Sequence, residues 1–583
     1  SLKEIVIPNS VTTVGTGILK GALNVEEITL PGIFTLSTIF YSSADTYMSR
    51  KINKVIVAEG STKVVNNFIS GLGFIKEVVL PNGVVTIEAS AFYNATGLTT
   101  INIPDSVDTI GDNAFYNTTS LSYIILSKNL RTIGNNAFEN SGLVSIVIPA
   151  SVTSIGSYAF RGTAKLISAS FANGSLIQSL PDYMFYNSRI ESFVVPSSVT
   201  SIGNYAFANC KYLKTLVIPN SVKTIGNYIL RYATSLEELT IPGIFTVEPL
   251  FNSNTTSYMS QVLRKVIVAD GSTQVVANFI KNLTQVKEVV LPDGLITIND
   301  YAFYGATNLT TINIPNTLTT IGNYAFYNTK SLNVLSISKD SNLQSIGSYA
   351  FSLSGIKSIY IPKGVITVGT YAFSEAINLS EVIFDKDINL AYLSDYMFYK
   401  VKTLGHIDIP KSVVEIKPYA FNSTGLEKIT IPNSVTKIGN YALANNLSLK
   451  EVHIPSSVVT IGTGILRGSL NVEELTVPGI FTIATVFYNT SDTYMSKKLW
   501  KVNVAEGSTQ VVASFLTGIS NVREVVLPEG LVTINNSAFS SATGLTTINI
   551  PDSLETIGAS AFYNTPALGI ITFSKNSNLR TIG

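Results

Sequence analysis

LTTINIPDSVDTIGDNAFYNTTS, Leu98 to Ser120, is the stretch whose reading decides the fold. Leu98, Ile101 and Ile103 have the spacing of a short strand that turns alternate residues inward. Pro104 ends the strand by withholding a backbone donor, and Asp105-Ser106 supplies turn chemistry. Val107 and Ile110 point inward again, Gly111 permits a sharp corner, and Ala114-Phe115 fills the remaining space. A unit of this size cannot bury its apolar face alone. It requires a like neighbour above and below, which makes it one coil of a solenoid.

Working outward, the position held by Pro104 recurs about 25 times between Pro8 and Ser574, at spacings of 22 to 25 residues and of 27 in three places. No gap accommodates a linker, so residues 1–583 read as one continuous repeat solenoid of coils about 23 residues long. At about 4.8 Å per coil it predicts a rod about 120 Å long. A longer period overlies the first. SVTTVGTGILKGALNVEEITLPGIFT from Ser10 returns as SVKTIGNYILRYATSLEELTIPGIFT from Ser221 and SVVTIGTGILRGSLNVEELTVPGIFT from Ser457. Duplicated blocks of nine, then ten, coils follow, with boundaries at 1–211, 212–447 and 448–583. Each PGIFT coil is long and precedes a coil carrying VAEGST or VADGST.

Composition agrees with a repeat array and narrows its partners. Apolar residues make up 45% and charged residues 13%, with Lys+Arg 39 against Asp+Glu 38. Near-neutral charge gives no electrostatic reason to expect nucleic acid or an acidic membrane. The mean hydropathy of +0.31 comes from many short apolar runs, none long enough to span a bilayer. A single cysteine, Cys210, excludes an internal disulfide framework. Ser1 is not a start methionine and both ends fall inside a coil, so the chain reads as a segment of a longer array with caps and anchor out of view.

The recurring pattern IPxSVTxIGxxAF, seen in IPASVTSIGSYAF from Ile148, VPSSVTSIGNYAF from Val195 and IPNTLTTIGNYAF from Ile314, resembles the BspA-like leucine-rich repeat family along essentially the whole chain. The resemblance implies a right-handed leucine-rich-repeat coil with a parallel β-sheet on its concave face. It also implies an extracellular or cell-surface protein that adheres to host or matrix protein, to other cell surfaces or to glycan. One departure is plain: family repeats usually carry Cys shortly after the Ala-Phe pair, and here only Cys210 keeps it.

Catalysis finds little support. His406 and His453 are the two histidines. Asp408 occupies the outward position of His453 two coils earlier, about 10 Å away at strand spacing, beyond reach for an acid–base pair. No second His or Cys completes a metal site. The glycines recur as coil corners and form no phosphate loop, and the EGST and DGST turns carry too few acids for calcium. The expectation is a non-catalytic protein without cofactor or metal, with Cys210 a small buried hydrophobe.

Outward residues carry what specificity there is. Lys3-Glu4, Lys76-Glu77 and Lys450-Glu451 alternate with Glu26-Glu27 and Glu473-Glu474 on adjacent coils, which predicts Lys-over-Glu ladders. Tyr301, Tyr324, Tyr349, Tyr371, Tyr396, Tyr419 and Tyr441 precede the Ala-Phe position in seven consecutive coils, and Tyr158, Tyr183, Tyr205 and Tyr228 do so in four. They line a flank with rings whose hydroxyls can stay wet, which is either an edge ladder that shields the core or a sticky flank for protein or glycan. In the three long coils Phe34, Phe40, Tyr41, Tyr47 and Met48 recur as Phe245, Phe251, Tyr258 and Met259 and as Phe481, Phe487, Tyr488, Tyr494 and Met495. The extra residues predict bulges, either plugged by these aromatics or exposing Tyr47-Met48, Tyr258-Met259 and Tyr494-Met495 as docking points, roughly 43–48 Å apart at coil spacing. Sequons such as Asn94, Asn117, Asn254 and Asn489 are about as frequent as chance allows and decide nothing.

Two function classes fit: an adhesin or interaction scaffold that binds protein or glycan, and a structural fibre or stalk that self-associates as a homo-oligomer or filament. Duplication of whole blocks adds length directly and favours the second; varied outward residues favour the first.

Overall fold

The computed structural model describes residues 2–42, 46–252, 258–489, 491 and 493–583. The chain is a parallel-strand solenoid of about 25 coils, divided into two compact units, Ser1–Ser272 and Thr273–Gly583. The quoted stretch folds as its pattern predicts, with Leu98, Val107, Ile110, Ala114 and Phe115 fully buried and Ile101 and Ile103 nearly so.

Each ordinary coil has three bonded faces. On the first, strands such as Thr100–Ile101 pair in parallel with the preceding coil, Glu77 opposite Thr100 and Val78 opposite Ile101. In the first unit this ladder climbs through Ser145–Ile148, Ser168–Phe171, Ser192–Val194, Thr215–Val217, Glu238–Ile241 and Lys265–Val268. In the second unit it runs from Lys428–Thr430 to Thr547–Ile548. The second face is a ladder of two-residue strands, Thr109–Ile110 between Thr86–Ile87 and Thr132–Ile133. Sequence reading had placed inward residues there without a strand.

The third face consists of turns that are themselves laddered. Asn113, Phe115 and Asn117 donate to the carbonyls of Asn135, Ala137 and Glu139 at 2.7–2.8 Å. Two left-handed residues per coil, Asn113 (φ 56°) and Asn117 (φ 57°), bend the chain there. Asn tolerates this region because its short side chain bonds locally. The core is a column of phenylalanines under this face. Rings of Phe303, Phe326, Phe351, Phe373, Phe398 and Phe421 follow one another at 5.0–5.6 Å in the second unit. Phe92 to Phe207 do the same in the first.

Gly111 serves a purpose the sequence did not show. Its φ is ordinary, so no left-handed turn requires it; a Cβ there would lie 2.6 Å from the Ala89 backbone nitrogen of the coil below. The glycine column is a close-approach device that lets corners stack at strand spacing.

The long coils interrupt the second ladder, which stops at Thr224–Ile225 in the first unit and Thr460–Ile461 in the second. In their place stand one-turn helices, Leu36–Phe40 and Ile483–Phe487, capped by the hydroxyls of Thr35 and Thr482, which accept from the N–H of Thr38 and Thr485. The middle copy keeps Thr246 but has Pro249 where Thr38 and Thr485 stand; proline offers no N–H for the threonine hydroxyl to cap, and the segment forms only a 3-10 turn, Glu248–Leu250. The PGIFT and EGST motifs meet: the hydroxyls of Ser61, Ser272 and Ser508 each accept from the N–H of Gly32, Gly243 and Gly479 at 3.2 Å.

The charge ladders form in part as expected: of the named pairs Lys3 over Glu26 is bonded, the other rungs use lysines the sequence pattern did not single out, and Glu4 faces Glu27 and Glu451 faces Glu474 on adjacent strands. Lys3 meets Glu26 at 3.1 Å, Lys54 meets Glu27 at 3.4 Å and Lys501 meets Glu524 at 3.2 Å, while Lys428 pairs with Glu451. All are solvated, and each contributes about 0.2–1 kcal/mol. Glu139 differs. It is buried on the turn face, 3.5 Å from Arg161, with Oε2 unpartnered. Burial raises its pKa and Arg161 opposes the rise incompletely. A carboxyl with a raised folded pKa is unpenalised below its ordinary value of 4.5 and destabilises as pH climbs through the folded value. Glu139→Gln should therefore stabilise the first unit at pH 7 and lose that advantage near pH 4, read from denaturant midpoints at both pH values.

Candidate functional site

The tyrosine flank is a continuous stack in the second unit. Centroids from Tyr301 through Tyr324, Tyr349, Tyr371 and Tyr396 to Tyr419 follow at 4.3–4.9 Å with interplanar angles of 4–9°. The last rung, Tyr419 to Tyr441, opens to 5.2 Å and 34°. A second row adds Tyr304 and Tyr327, stacked at 4.9 Å. The first unit repeats the design through Tyr158, Tyr183 and Tyr205, and again the final rung to Tyr228 is tilted. All these rings are half-buried. Their faces are spent on one another, so the flank presents ring edges and hydroxyls.

Every ladder tyrosine stands on left-handed backbone, from Tyr441 at φ 54° to Tyr158 at φ 63°. Equivalent coils use Ser90, Asn113 or Asn136, which suit that region; a bulky residue there costs about 1–2 kcal/mol. Stacking returns about 0.5–1.5 kcal/mol per pair beyond the apolar area that each half-buried ring removes from water, so stacking and burial together offset the strain. Burial, then the neighbouring hydroxyls, raise the pKa of Tyr324 and of Tyr371. Both hydroxyls therefore stay protonated at neutral pH.

In the long coils the structure corrects part of the docking expectation. Met48, Met259 and Met495 are 1%, 9% and 6% exposed: they plug the oversized turns and cannot dock a partner. The serine after each acts as a staple, Ser49 and Ser260 donating to the Val25 and Leu236 carbonyls at 2.7 Å and Ser496 to Leu470 at 2.9 Å. Tyr47, Tyr258 and Tyr494 remain half-buried, while Tyr41 and Tyr488 are largely exposed. Parts of all three bulges, and the Asn254 sequon, lie outside the described residues.

Sequence reading missed the cations that organise these tyrosines. Lys20 lies 4.4 and 4.7 Å from the ring centroids of Tyr41 and Tyr47. Arg231 lies 5.2 and 4.8 Å from Tyr232 and Tyr258. Arg467 lies 5.0 and 4.4 Å from Tyr488 and Tyr494, and 5.7 Å from Tyr441. The signal was present in ILKG, ILRY and ILRG, where a basic residue holds one position in all three block repeats. Cation–π attraction of about 0.5–2 kcal/mol explains the constraint. Arg467 joins the two sets of tyrosines: with Tyr419, Asn422, Tyr441, Asn445, Gly468, Thr493 and Tyr494 it lines an open groove of about 420 Å³.

The histidines and the cysteine stand apart from the tyrosine flank. His406 lies 3.2 Å from Asp408 on an exposed stretch that forms no strand. His453 meets the Thr476 hydroxyl at 3.1 Å and Glu451 at 3.7 Å. Among the described residues no three His, Cys, Asp or Glu side chains gather as metal ligands, and no helix is long and apolar enough to cross a membrane. Cys210 is fully buried and donates to the Phe185 carbonyl at 3.0 Å; burial pushes its pKa up to about 12. Native protein should therefore resist a thiol reagent at pH 8 and label fully on unfolding; fast native labelling would contradict this packing.

The family model for the BspA type leucine rich repeat region matches six times, at residues 1–44, 41–167, 178–262, 273–392, 387–494 and 485–583. No curated protein matches the sequence. Among solved structures, a leucine-rich repeat protein from Bacteroides ovatus is 20% identical, over 75% of this chain and 87% of its own, with a TM-score of 0.31. A leucine rich cell surface protein from Faecalibacterium prausnitzii is 23% identical, over 67% and 90%, with a TM-score of 0.27. The Treponema leucine-rich repeat protein (T. pallidum) is 27% identical, over 32% and 78%, with a TM-score of 0.25. The coil read from Leu98–Ser120 and the six matched regions thus describe one repeat, and the chain belongs to the BspA-type leucine-rich repeat family.

Proposed function

We propose that the chain is a non-catalytic interaction scaffold, displayed at the cell surface or secreted, which binds protein or glycan partners through the outward residues of its coils. The observation that supports this reading most is the tyrosine ladder. Eleven tyrosines (Tyr158, Tyr183, Tyr205, Tyr228, Tyr301, Tyr324, Tyr349, Tyr371, Tyr396, Tyr419 and Tyr441) stand at a left-handed position that Ser90, Asn113 and Asn136 fill in equivalent coils, so the turn itself does not require a ring. An outward aromatic edge that the turn does not require, repeated in register, is the kind of surface that recognition uses. Tyr47, Tyr258 and Tyr494, each beside its basic residue, extend the same chemistry to the long coils.

The test replaces Tyr324, Tyr349 and Tyr371 with Asn, the residue that Asn113 and Asn136 supply at the same φ. The variant should remain folded, its thermal midpoint lowered by the lost ring contacts and partly restored by the relieved left-handed strain. Binding to a panel of immobilised matrix proteins, glycans and whole cells should fall at least tenfold. Retained binding would remove the ladder from the reading. Self-association by sedimentation, lost in the same variant without any loss of partner binding, would support instead the fibre that block duplication suggests.

A further inference from the structure

The strand face of the first unit changes character along its length. The parallel registers set its columns of outward residues, Glu27 beside Lys54, Glu77 and Thr100 in one run and Ser145 beside Ser168, Ser192, Thr215, Glu238 and Lys265 in the other. Charge sits at both ends of these columns and is absent between: no outward strand residue from Thr99 to Ser170 is charged. That window, with Val194 just beyond it, is apolar. Tyr123, Ile125, Val147 and Val194 are each 60–66% exposed, Val144 and Ile167 40%. Corresponding coils of the second unit carry Lys357 and Glu381 on the same face. The six side chains present on the order of 600 Å², the most that a monomer usually leaves open. With the serines between them the window approaches the roughly 800 Å² that each partner of a stable dimer buries.

The pattern is complementary to itself. About a twofold axis that runs along Ser145–Ile148 between two facing sheets, coils meet antiparallel and each column meets itself. Val144 and Val147 then face their own copies. The other four large side chains each meet a smaller or polar one: Tyr123 faces Ser168, Ile125 faces Ser170, Ile167 faces Ser122 and Val194 faces Asn102. Farther out, Glu26-Glu27 faces Arg264-Lys265 and Lys54 faces Glu238. Lys76 opposite Lys214 is the one like-charged pair, and each has an acidic neighbour, Glu77 beside Lys76 and Glu191 at 3.6 Å from Lys214. A parallel arrangement would instead set Glu26-Glu27 against itself. Complementary charge of this kind orients an encounter more than it tightens it, and burial of the apolar window supplies the affinity.

We propose that the strand face of the first unit is an interface for a second copy of this chain, an antiparallel dimer on a twofold axis through Ser145–Ile148 with Tyr123, Val147 and Val194 near its centre. The inference does not rest on the scaffold reading. The tyrosines of the first unit stand on the third face, so a dimer of this kind leaves them open.

Sedimentation of the full chain over a hundredfold range of concentration should show a monomer–dimer equilibrium. Val147→Lys sets two ammonium groups against each other on the axis and should raise the dimer dissociation constant at least tenfold, with thermal unfolding as in the parent. Ile366→Lys, at a 58% exposed position of the second unit, should leave that constant unchanged. Faced sheets lie about 10 Å apart, so a bis-maleimide of that length should link Val147→Cys to itself and Tyr123→Cys to Ser168→Cys, but not Tyr123→Cys to itself. Cys210 is buried and stays out of the reaction. A chain that is monomeric throughout, a dimer indifferent to Val147→Lys, or linkage of Tyr123→Cys to itself would overturn the proposal. So would a monomer that takes up an apolar peptide on this face, which would assign it to a foreign partner. The ladder variant should dimerise as the parent does. Loss of partner binding with dimerisation intact, or the reverse, separates this inference from the scaffold reading.

Discussion

Phe326→Ala is expected to cost about 3–5 kcal/mol, the range for emptying a fully buried aromatic site, and to spend that loss on a few coils. Phe326 is wholly buried, its ring 5.0 Å from Phe303 and 5.2 Å from Phe351. Its N–H donates to the Ala350 carbonyl at 2.8 Å, so the backbone ladder persists while the column of rings gains a hole. Because repeat stability sums nearest-neighbour terms, hydrogen exchange should accelerate between roughly Phe303 and Phe373 and stay at parent rates around Phe539. Uniform acceleration across the second unit would show a cooperative globule in place of a one-dimensional stack.

Gly479→Ala, like Gly32→Ala in the first copy, should be among the most damaging single methyls added to the long coils. A Cβ at Gly479 would sit 2.0 Å from the Gln510 carbonyl oxygen and 3.3 Å from Val504 Cγ1. The obstacle is backbone, which cannot rotate aside. Relief requires the PGIFT turn to lift, straining the Gly479 N–H to Ser508 hydrogen bond and the Val512 N–H to Gly479 carbonyl bond of 2.8 Å. Overpacking of this kind costs about 1–3 kcal/mol or more. Gly518→Ala, where a Cβ meets nothing within 4 Å, is strained only by its φ of 72° and should cost about 1–2 kcal/mol. Denaturant unfolding of the two variants side by side checks the ranking; equal losses would mean that the turn lifts freely.

Much of the architecture was legible in the residues because the coil is short and its burial periodic. Val107, Ile110 and Phe115 declare one inward face, and repetition some two dozen times removes the ambiguity that a single short apolar run carries. The Lys–Glu ladders were legible for the same reason: equal coil lengths place equal positions side by side. The candidate site was half legible. Tyrosine register showed the ladder, yet nothing in a row of Tyr-Ala-Phe tripeptides reveals left-handed φ values, and Tyr47-Met48 does not say which of the two points inward.

What the sequence by itself determined is therefore the coil: its length, its inward residues, its stacking register and the family to which it belongs. Tertiary structure decided everything that depends on the distance between coils. Gly111 is required because the Ala89 backbone lies under it, Met495 is a plug because the long turn leaves it a hole, and Arg467 sits among three tyrosines drawn from separate stretches of chain. Periodicity reports which face a residue takes; only the stacked backbone sets how much space remains beside it, which is none for a methyl at Gly479 and ample at Gly518.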